Sequence, residues 1–239
     1  MNAPEVTVVL PAYLEESTIE SSVNRLMNCL DDYGIVFLLK VVVDGPGDLT
    51  ADILSRIPDS RLQVIELDRN HGKGHAVRRG LADCTTDLVA YMDADLDLHP
   101  EGLAEAIREL QNSPAEVCGA IGSKVHPMSD VDYPLSRRIL SRLFKVLVKF
   151  AFSLDVSDSQ TGLKVFRRSA VEDVLPTLKR EGFEFDLELL SRLSQRGHKF
   201  TEVPVQLDYH FETTVNVKTG MRALIDTMVL AIQLRRTRL

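Results

Sequence analysis

Short apolar runs alternate with amphipathic stretches through the first half of the chain, and this alternation narrows the fold more than any other feature. Residues 6–10, 36–43, 62–67, 88–92 and 117–122 read as strands, and the run 36–43 is nearly all apolar, as a strand covered on both faces should be. Between them lie stretches with helical spacing. Residues 15–32 place Ile19, Val23, Leu26 and Leu30 on one face, and the spacing predicts further helices over 49–57, 73–82 and 100–111. Strand–helix–strand repeats close only by crossover connections, so the expected class is α/β: a mostly parallel central sheet with helices on both faces. The second half departs from this rhythm. It predicts a long amphipathic helix over 135–154, a strand over 162–166, helices over 169–178 and 185–196, a strand over 200–207 and a helix over 219–234. Repeats and long linkers are absent, and a single domain over residues 1–239 is expected.

At 239 residues with 44% hydrophobic and 26% charged side chains, the chain can bury a large core without disulfide or metal staples. A formal net charge of −7 argues against nucleic acid as a partner, because phosphate backbones demand a basic surface. Cys29, Cys84 and Cys118 stand apart without a CxxC pair and read as reduced core thiols. Neither a leader peptide nor an apolar run of spanning length is visible, so a cytoplasmic location is expected.

Three places carry chemistry. The first is Asp93-Ala94-Asp95-Leu96-Asp97, directly after the apolar run 88–92. Ligands of open α/β sheets bind at the carboxyl ends of strands. Carboxylates spaced two apart there repel one another unless a cation sits among them, and Mg²⁺ or Mn²⁺ shared with substrate phosphates suits such hard oxygen donors. A solvated acidic turn before a helix is the plainer alternative. The second is His71-Gly72-Lys73-Gly74-His75, which lacks the Walker and dinucleotide spacings. It is either a glycine turn at a helix start or a place where Lys73 and backbone N–H groups face a nucleotide. The third is the stretch 133–154, which has no acidic residue but carries Arg137, Arg138, Arg142, Lys145 and Lys149 on one side of a helix. It is either an ordinary surface helix or an interfacial one meeting an anionic membrane surface.

Taken in order, Leu10-Pro11-Ala12-Tyr13 with Glu15, Val41 to Asp44-Gly45, Gly72-Lys73-Gly74 with Arg78 and Gly80, and the Asp93/Asp95/Asp97 turn form a pattern. It continues through Gly122-Ser123-Lys124, Pro134-Leu135 with Arg137 and Ser141, Asp158 to Lys164, Phe185 to Leu190, and Glu202-Val203-Pro204-Val205. This order and spacing resemble the inverting, family-2-type glycosyltransferases of GT-A fold, in the polyprenyl-phosphate (dolichyl-phosphate) mannose and glucose synthase group. The resemblance covers residues 6 to about 205.

The resemblance implies roles. Residues 1–123 would form the nucleotide-sugar-binding half and 124–239 the acceptor-binding half. Pro11, Tyr13, Glu15, Asp44, Lys73, Asp93 and Asp95 would bind the donor, with Asp93, Asp95 and Asp97 as metal ligands for Mg²⁺ or Mn²⁺. Lys124, Arg137 and Ser141 would hold an acceptor phosphate, and Gln160 and His210 would flank it. Asp95, Asp186 and Lys164 would serve the catalytic step. The chain departs from the pattern at Val43, where the group usually carries Asp, at Leu14, where it carries Asn, and at Lys124, where it carries Arg.

The resulting expectation is an enzyme, a hexosyltransferase moving a sugar from GDP-mannose or UDP-glucose to a dolichyl or undecaprenyl phosphate. It would sit peripherally at the cytoplasmic face of a membrane, with a membrane-protein partner or a second copy as further partners. Two alternatives stand beside it: a transferase with a soluble or carbohydrate acceptor and Asp186 as general base, and a nucleotide-sugar-binding module without catalysis.

Overall fold

The computed structural model describes residues 3–130, 152, 154–182 and 184–207. Seven strands form one sheet in the order β3-β2-β1-β4-β6-β5-β7. These are β1 (Val6–Ala12), β2 (Phe37–Val43), β3 (Leu62–Glu66), β4 (Leu88–Met92), β5 (Val117–Ser123), β6 (Leu163–Arg167) and β7 (Lys199–Pro204). The helices are α1 (Ile19–Asp32), α2 (Thr50–Ser55), α3 (Lys73–Leu81), α4 (Pro100–Asn112), α5 (Arg168–Val174) and α6 (Phe185–Gln195).

The mostly parallel sheet expected from the alternation is present, with one reversal. β6 pairs antiparallel with both β4 and β5. The chain leaves β5 at Ser123 and re-enters the sheet at Leu163 on the same edge, which forces β6 to run backwards. Alternation in the first half carries no information about that return.

The central strands bury both faces, and the core is therefore double. Val6, Val8 and Leu10 of β1 pack with α1 and α4 on one side. Val9, Val42 and Tyr91 pack with α3, α5 and α6 on the other. Cys29, Cys84 and Cys118 are buried and free, as read from their spacing.

Two element ends differ from expectation for local reasons. The helix expected over 169–178 stops at Val174 and tightens into a 3₁₀ turn, Leu175–Thr177, because Pro176 has no N–H to continue an α-helical ladder. β7 ends at Pro204, after which Gln206 and Leu207 make single bridges to Asp130 and Leu98. The helices expected over 135–154 and 219–234 lie outside the described residues, except Phe152 and Leu154, which are buried. Among the described residues no helix is long and apolar enough to cross a membrane.

Candidate active site

The carboxyl ends of β1, β2, β4 and β5 and the amino end of β6 meet at one edge of the sheet. Asp93 is the first residue past β4, and its N–H donates to the carbonyl of Gly162, just before β6, at 3.0 Å. The next residues form an outward-facing turn. Ala94, Leu96 and Leu98 point into the core, while Asp95 and Asp97 are exposed. This alternation requires Leu96 to take a φ of +50°, a left-handed conformation that costs an L-residue about 1–2 kcal/mol. Burial of the Leu96 side chain offsets that cost. The Asp97 N–H donates to Asp95 Oδ1 at 3.2 Å and holds the turn shut.

Two lysines reach into the carboxylates. Lys73, first residue of α3, forms an ion pair with Asp93 Oδ1. Burial pulls the Lys73 ammonium down, but Asp93, Asp186 and Asp95 outweigh it and hold the group above the ordinary lysine range. Lys164, second residue of β6, is wholly buried and donates to Asp186 Oδ1 at 2.7 Å and to the Thr161 carbonyl at 2.5 Å. Burial pushes Lys164 below its usual range, and Asp186 opposes that shift. Tyr91 in β4 is the register partner of Lys164 and donates its hydroxyl to the same oxygen, Asp186 Oδ1. Burial, reinforced by the Asp186 charge, lifts the Tyr91 phenol well above its ordinary value. Asp186, which the sequence places at a helix start, is therefore a buried carboxylate with two donors on one oxygen.

The exposed side of the site is electronegative. Partial burial, and then the charge of Asp93, push the Asp95 carboxyl up to about 6, with Asp97 and Glu15 adding to the effect and the Asp97 N–H opposing it. Glu15 and Asp97 thus join Asp93 and Asp95 in one anionic field. Hard oxygen donors gathered in one anionic field fit a divalent cation. Among the described residues, however, no three His, Cys, Asp or Glu side chains converge into a cage that would hold a metal alone. The donor set suits an ion completed by substrate phosphates rather than one enclosed by protein. Asp93 is already committed to Lys73 through Oδ1, which leaves Asp95 as the more open carboxylate.

The remaining residues singled out for the donor lie beside this turn. Pro11 falls near the end of β1, beyond the last β1–β4 register pair at Val9 and Tyr91, where a missing N–H costs no ladder bond on that side. Tyr13 and Leu14 are about half exposed, and Leu14 has a φ of +59°. The Glu15 N–H donates to Thr50 Oγ1 at 3.0 Å, while Asp48 accepts from the N–H groups of Glu16 and Thr50, so the loops after β1 and β2 are stitched together. Asp44 is buried, and its two oxygens accept the N–H groups of His71 and Gly72, both at 2.8 Å. The N–H groups of Gly74 and His75 donate to the Glu181 carbonyl at 2.7 and 3.3 Å. These amides at the start of α3 have partners within the protein, and the side chain of Lys73 is what this segment presents to the carboxylates.

Of the residues expected to hold an acceptor, Lys124 follows β5 and its N–H donates to Asp158 Oδ2 at 3.1 Å. Gln160 is exposed on the same 157–162 loop. Arg137, Ser141 and His210 lie outside the described residues. Three residues that shape the site were assigned no role from the sequence. Tyr91 reads as one apolar strand residue among five. Glu188 reads as solvated, yet it is buried and accepts the N–H groups of Lys179 and Arg180, both at 2.8 Å. Glu202 Oε1 takes the Ser157 N–H at 2.6 Å and the Ser157 hydroxyl at 2.7 Å, and so anchors the 157–162 loop from β7.

Comparison with known proteins agrees with this architecture. The model of the family described as Glycosyl transferase family 2 matches residues 7–175. The chain is 31% identical over 217 residues to the glycosyltransferase AglD of Haloferax volcanii, across 89% of this chain and 34% of that protein. It is 28% identical over 222 residues to the dolichyl-phosphate beta-glucosyltransferase of Saccharomyces cerevisiae, across 84% of this chain and 66% of the other. The chain thus spans about a third to two thirds of the length of these relatives. Among solved structures, glucosyl-3-phosphoglycerate synthase from Mycobacterium tuberculosis in complex with Mn²⁺, uridine diphosphate and glucosyl-3-phosphoglycerate superposes with a TM-score of 0.69. The identity is 22%, over 95% of this chain and 80% of that one. Mannosyl-3-phosphoglycerate synthase from Rubrobacter xylanophilus gives a TM-score of 0.65 at 20% identity, over 99% and 76%. These structural likenesses establish the GT-A-like fold.

Proposed function

The chain belongs to glycosyl transferase family 2, and we propose that it transfers a hexose from a nucleoside diphosphate sugar to a polyprenyl phosphate, with inversion at the anomeric carbon. The observation that carries this reading is the state of Asp186. A hydroxyl acceptor needs a general base to remove its proton as it attacks. Asp186 is the carboxylate placed for that work, but Lys164 and Tyr91 both donate to its Oδ1 and it is almost wholly buried. Proton uptake at Oδ1 would displace a donor there, so a base role would fall to Oδ2 alone. A phosphate monoester is anionic near neutral pH and attacks without a base, so the protein has only to position it and offset charge.

In this reading the donor lies over the ends of β1, β2 and β4. Lys73, paired with Asp93, faces the diphosphate, and Tyr13, Glu15 and Asp44 border the nucleoside. Asp95, with Asp93 or Asp97, would hold Mg²⁺ or Mn²⁺, which supplies positive charge to the departing nucleoside diphosphate. Lys164 and Asp186 form a neutralised pair beneath the sugar and keep the floor of the crevice rigid. Lys124, Arg137 and Ser141 hold the acceptor phosphate, with Gln160 and His210 beside it. Attack from the face opposite the diphosphate inverts the centre, so an α-linked donor gives a β-linked product. Residues 1–123 serve the donor and 124–239 the acceptor. The cationic stretch 133–154 rests on an anionic lipid surface at the cytoplasmic face. Support for the lipid acceptor comes from the names of the relatives, among them an undecaprenyl-phosphate 4-deoxy-4-formamido-L-arabinose transferase of Shewanella sediminis that is 28% identical over 185 residues, across 76% of this chain and 54% of that protein.

The test is a panel of radiolabelled UDP- and GDP-sugars incubated with a short polyprenyl phosphate and Mg²⁺ or Mn²⁺. A lipid-linked product from one donor is expected. Product only with a carbohydrate or other hydroxyl acceptor, abolished in Asp186→Asn but retained in Arg137→Ala, would overturn the reading.

A further inference from the structure

Lys73 sits on a main-chain segment gripped from two sides. On one side Asp44 accepts the N–H groups of His71 and Gly72. On the other, the Glu181 carbonyl accepts that of Gly74 at 2.7 Å and, at 3.3 Å, shares that of His75 with the Gly72 carbonyl at 3.0 Å. The fit against the second grip is tight. A Cβ added at Gly72 would lie 2.5 Å from the Glu181 oxygen, and one at Gly74 would lie 2.5 Å from Cβ of Phe185 and 2.9 Å from the Gly182 oxygen. The loop 179–182 and the first turn of α3 therefore move together or not at all.

That loop has no strand ladder to fix it, and Glu188 takes the place of one. Glu188 lies one turn into α6 and is 2% exposed. Its Oε2 accepts the N–H groups of both Lys179 and Arg180 at 2.8 Å, and its Oε1 faces Arg192 Nη2 at 3.4 Å. Two charge-assisted bonds from consecutive amides to one oxygen fix the orientation of those peptides. One peptide further along comes the carbonyl of Glu181, the one aimed at α3. The chain of contacts runs from a buried carboxylate on α6, through main chain only, to the segment that sets the Lys73–Asp93 pair.

We propose that Glu188 is a positioning residue for donor binding: by orienting the 179–181 main chain it fixes the first turn of α3 and so the place of the Lys73 ammonium. The proposal rests on the reading of Lys73 as the group that faces the donor diphosphate. Its mechanical half, from Glu188 to the Gly74 and His75 amides, can be tested apart from that reading.

The experiment compares wild type, Glu188→Ala and Glu188→Gln by residue-resolved amide hydrogen exchange and by calorimetric titration with UDP and with GDP in the presence of Mn²⁺. The glutamine variant keeps one carbonyl oxygen able to accept both amides. It gives up the charge behind those two bonds and the Arg192 contact, at a guanidinium that is 19% exposed. In Glu188→Ala, exchange at Gly74 and His75 should accelerate at least about tenfold while β1 and β2 stay protected, since local opening is separable from global unfolding. Affinity for the nucleotide that wild type binds should fall about five- to tenfold, the loss of one well-placed charged contact. Glu188→Gln should restore both to within about twofold of wild type. Unchanged exchange at Gly74 and His75 in a folded Glu188→Ala protein overturns the proposal, as does faster exchange there with undiminished nucleotide affinity. If wild type binds neither nucleotide, the donor reading of Lys73 fails, and the exchange arm alone decides whether Glu188 sets the first turn of α3. Should Glu188→Ala not fold, Glu188→Asp keeps the buried charge but shortens its reach by one methylene, and the same acceleration at Gly74 and His75 is expected.

Discussion

Lys164 Nζ and Asp186 Oδ1 lie 2.7 Å apart, with side-chain exposures of 0% and 4%. They come from β6 and α6, and Tyr91 of β4 closes the group by donating to the same carboxylate oxygen. A buried pair of this kind contributes little net stability against an apolar substitute, but breaking it strands a charge. Replacing Lys164 with Met should therefore destabilise the protein by about 3–5 kcal/mol, read from urea unfolding. The double variant Lys164→Met with Asp186→Leu should recover most of that loss. A double variant as unstable as the sum of the two single ones would show that the partners act independently.

The same geometry bears on the reaction. If Asp186 holds the floor of the site and takes no proton, Asp186→Asn should lower kcat less than about tenfold with a polyprenyl phosphate acceptor, because removal of a working general base costs about 10²–10⁴. Circular dichroism on the variant must first show a native fold, since Lys164 loses a charged partner. A kcat drop beyond about a hundredfold in a folded variant would restore Asp186 to the role of base.

Asp95 should leave a signature in stability. Its carboxyl is pushed up to about 6 in the folded protein, against an ordinary 3.8. Between those values the native state holds more proton than the unfolded one, so stability from this group falls as pH rises through the window and stays lower above it. In EDTA, Asp95→Asn should have a higher Tm than wild type near about pH 7.5, and the difference should shrink towards zero below about pH 4. The same substitution should remove any Mn²⁺-dependent gain in nucleotide affinity. An Asp95→Asn protein that is equally stable at both pH values and still binds nucleotide in a Mn²⁺-dependent way would exclude the assignment.

Gly162 tests how tightly the Asp93 carboxylate is seated. Its φ is not in the left-handed region, so a substitution there acts through space alone. A Cβ at this position would overlap Asp93 Oδ2. Gly162→Ala must displace Asp93 from Lys73 or move the start of β6. The expected result is a loss of about 1–3 kcal/mol in stability, as for other overpacked sites, together with weaker nucleotide binding. Wild-type affinity in Gly162→Ala would show that the Asp93 position is not needed for the donor.

Local pattern in the sequence was enough for the first half of this fold and for one half of the site. The runs 6–10, 36–43 and 88–92 are apolar because both faces of the sheet are covered, and their periodicity alone specifies strands alternating with helices. An Asp-x-Asp just past a buried strand must lie at the carboxyl edge of a parallel sheet, so the place of Asp93 and Asp95 in the fold was legible without coordinates. Tertiary structure decided the rest. The reversal of β6 between β4 and β5 puts Lys164 beside Tyr91, and α6 then delivers Asp186 to both, across 95 residues of sequence from Tyr91. It also decided the fate of single carboxylates: Asp44, Glu188 and Glu202 look like surface or ligand-binding acids in one dimension, yet each spends at least one oxygen on backbone N–H groups of a neighbouring loop. Sequence records that a carboxylate is present. Only the packed chain determines which amides lie within 3 Å of it, and hence whether it is left to meet a cation or is bonded into the frame that holds the site.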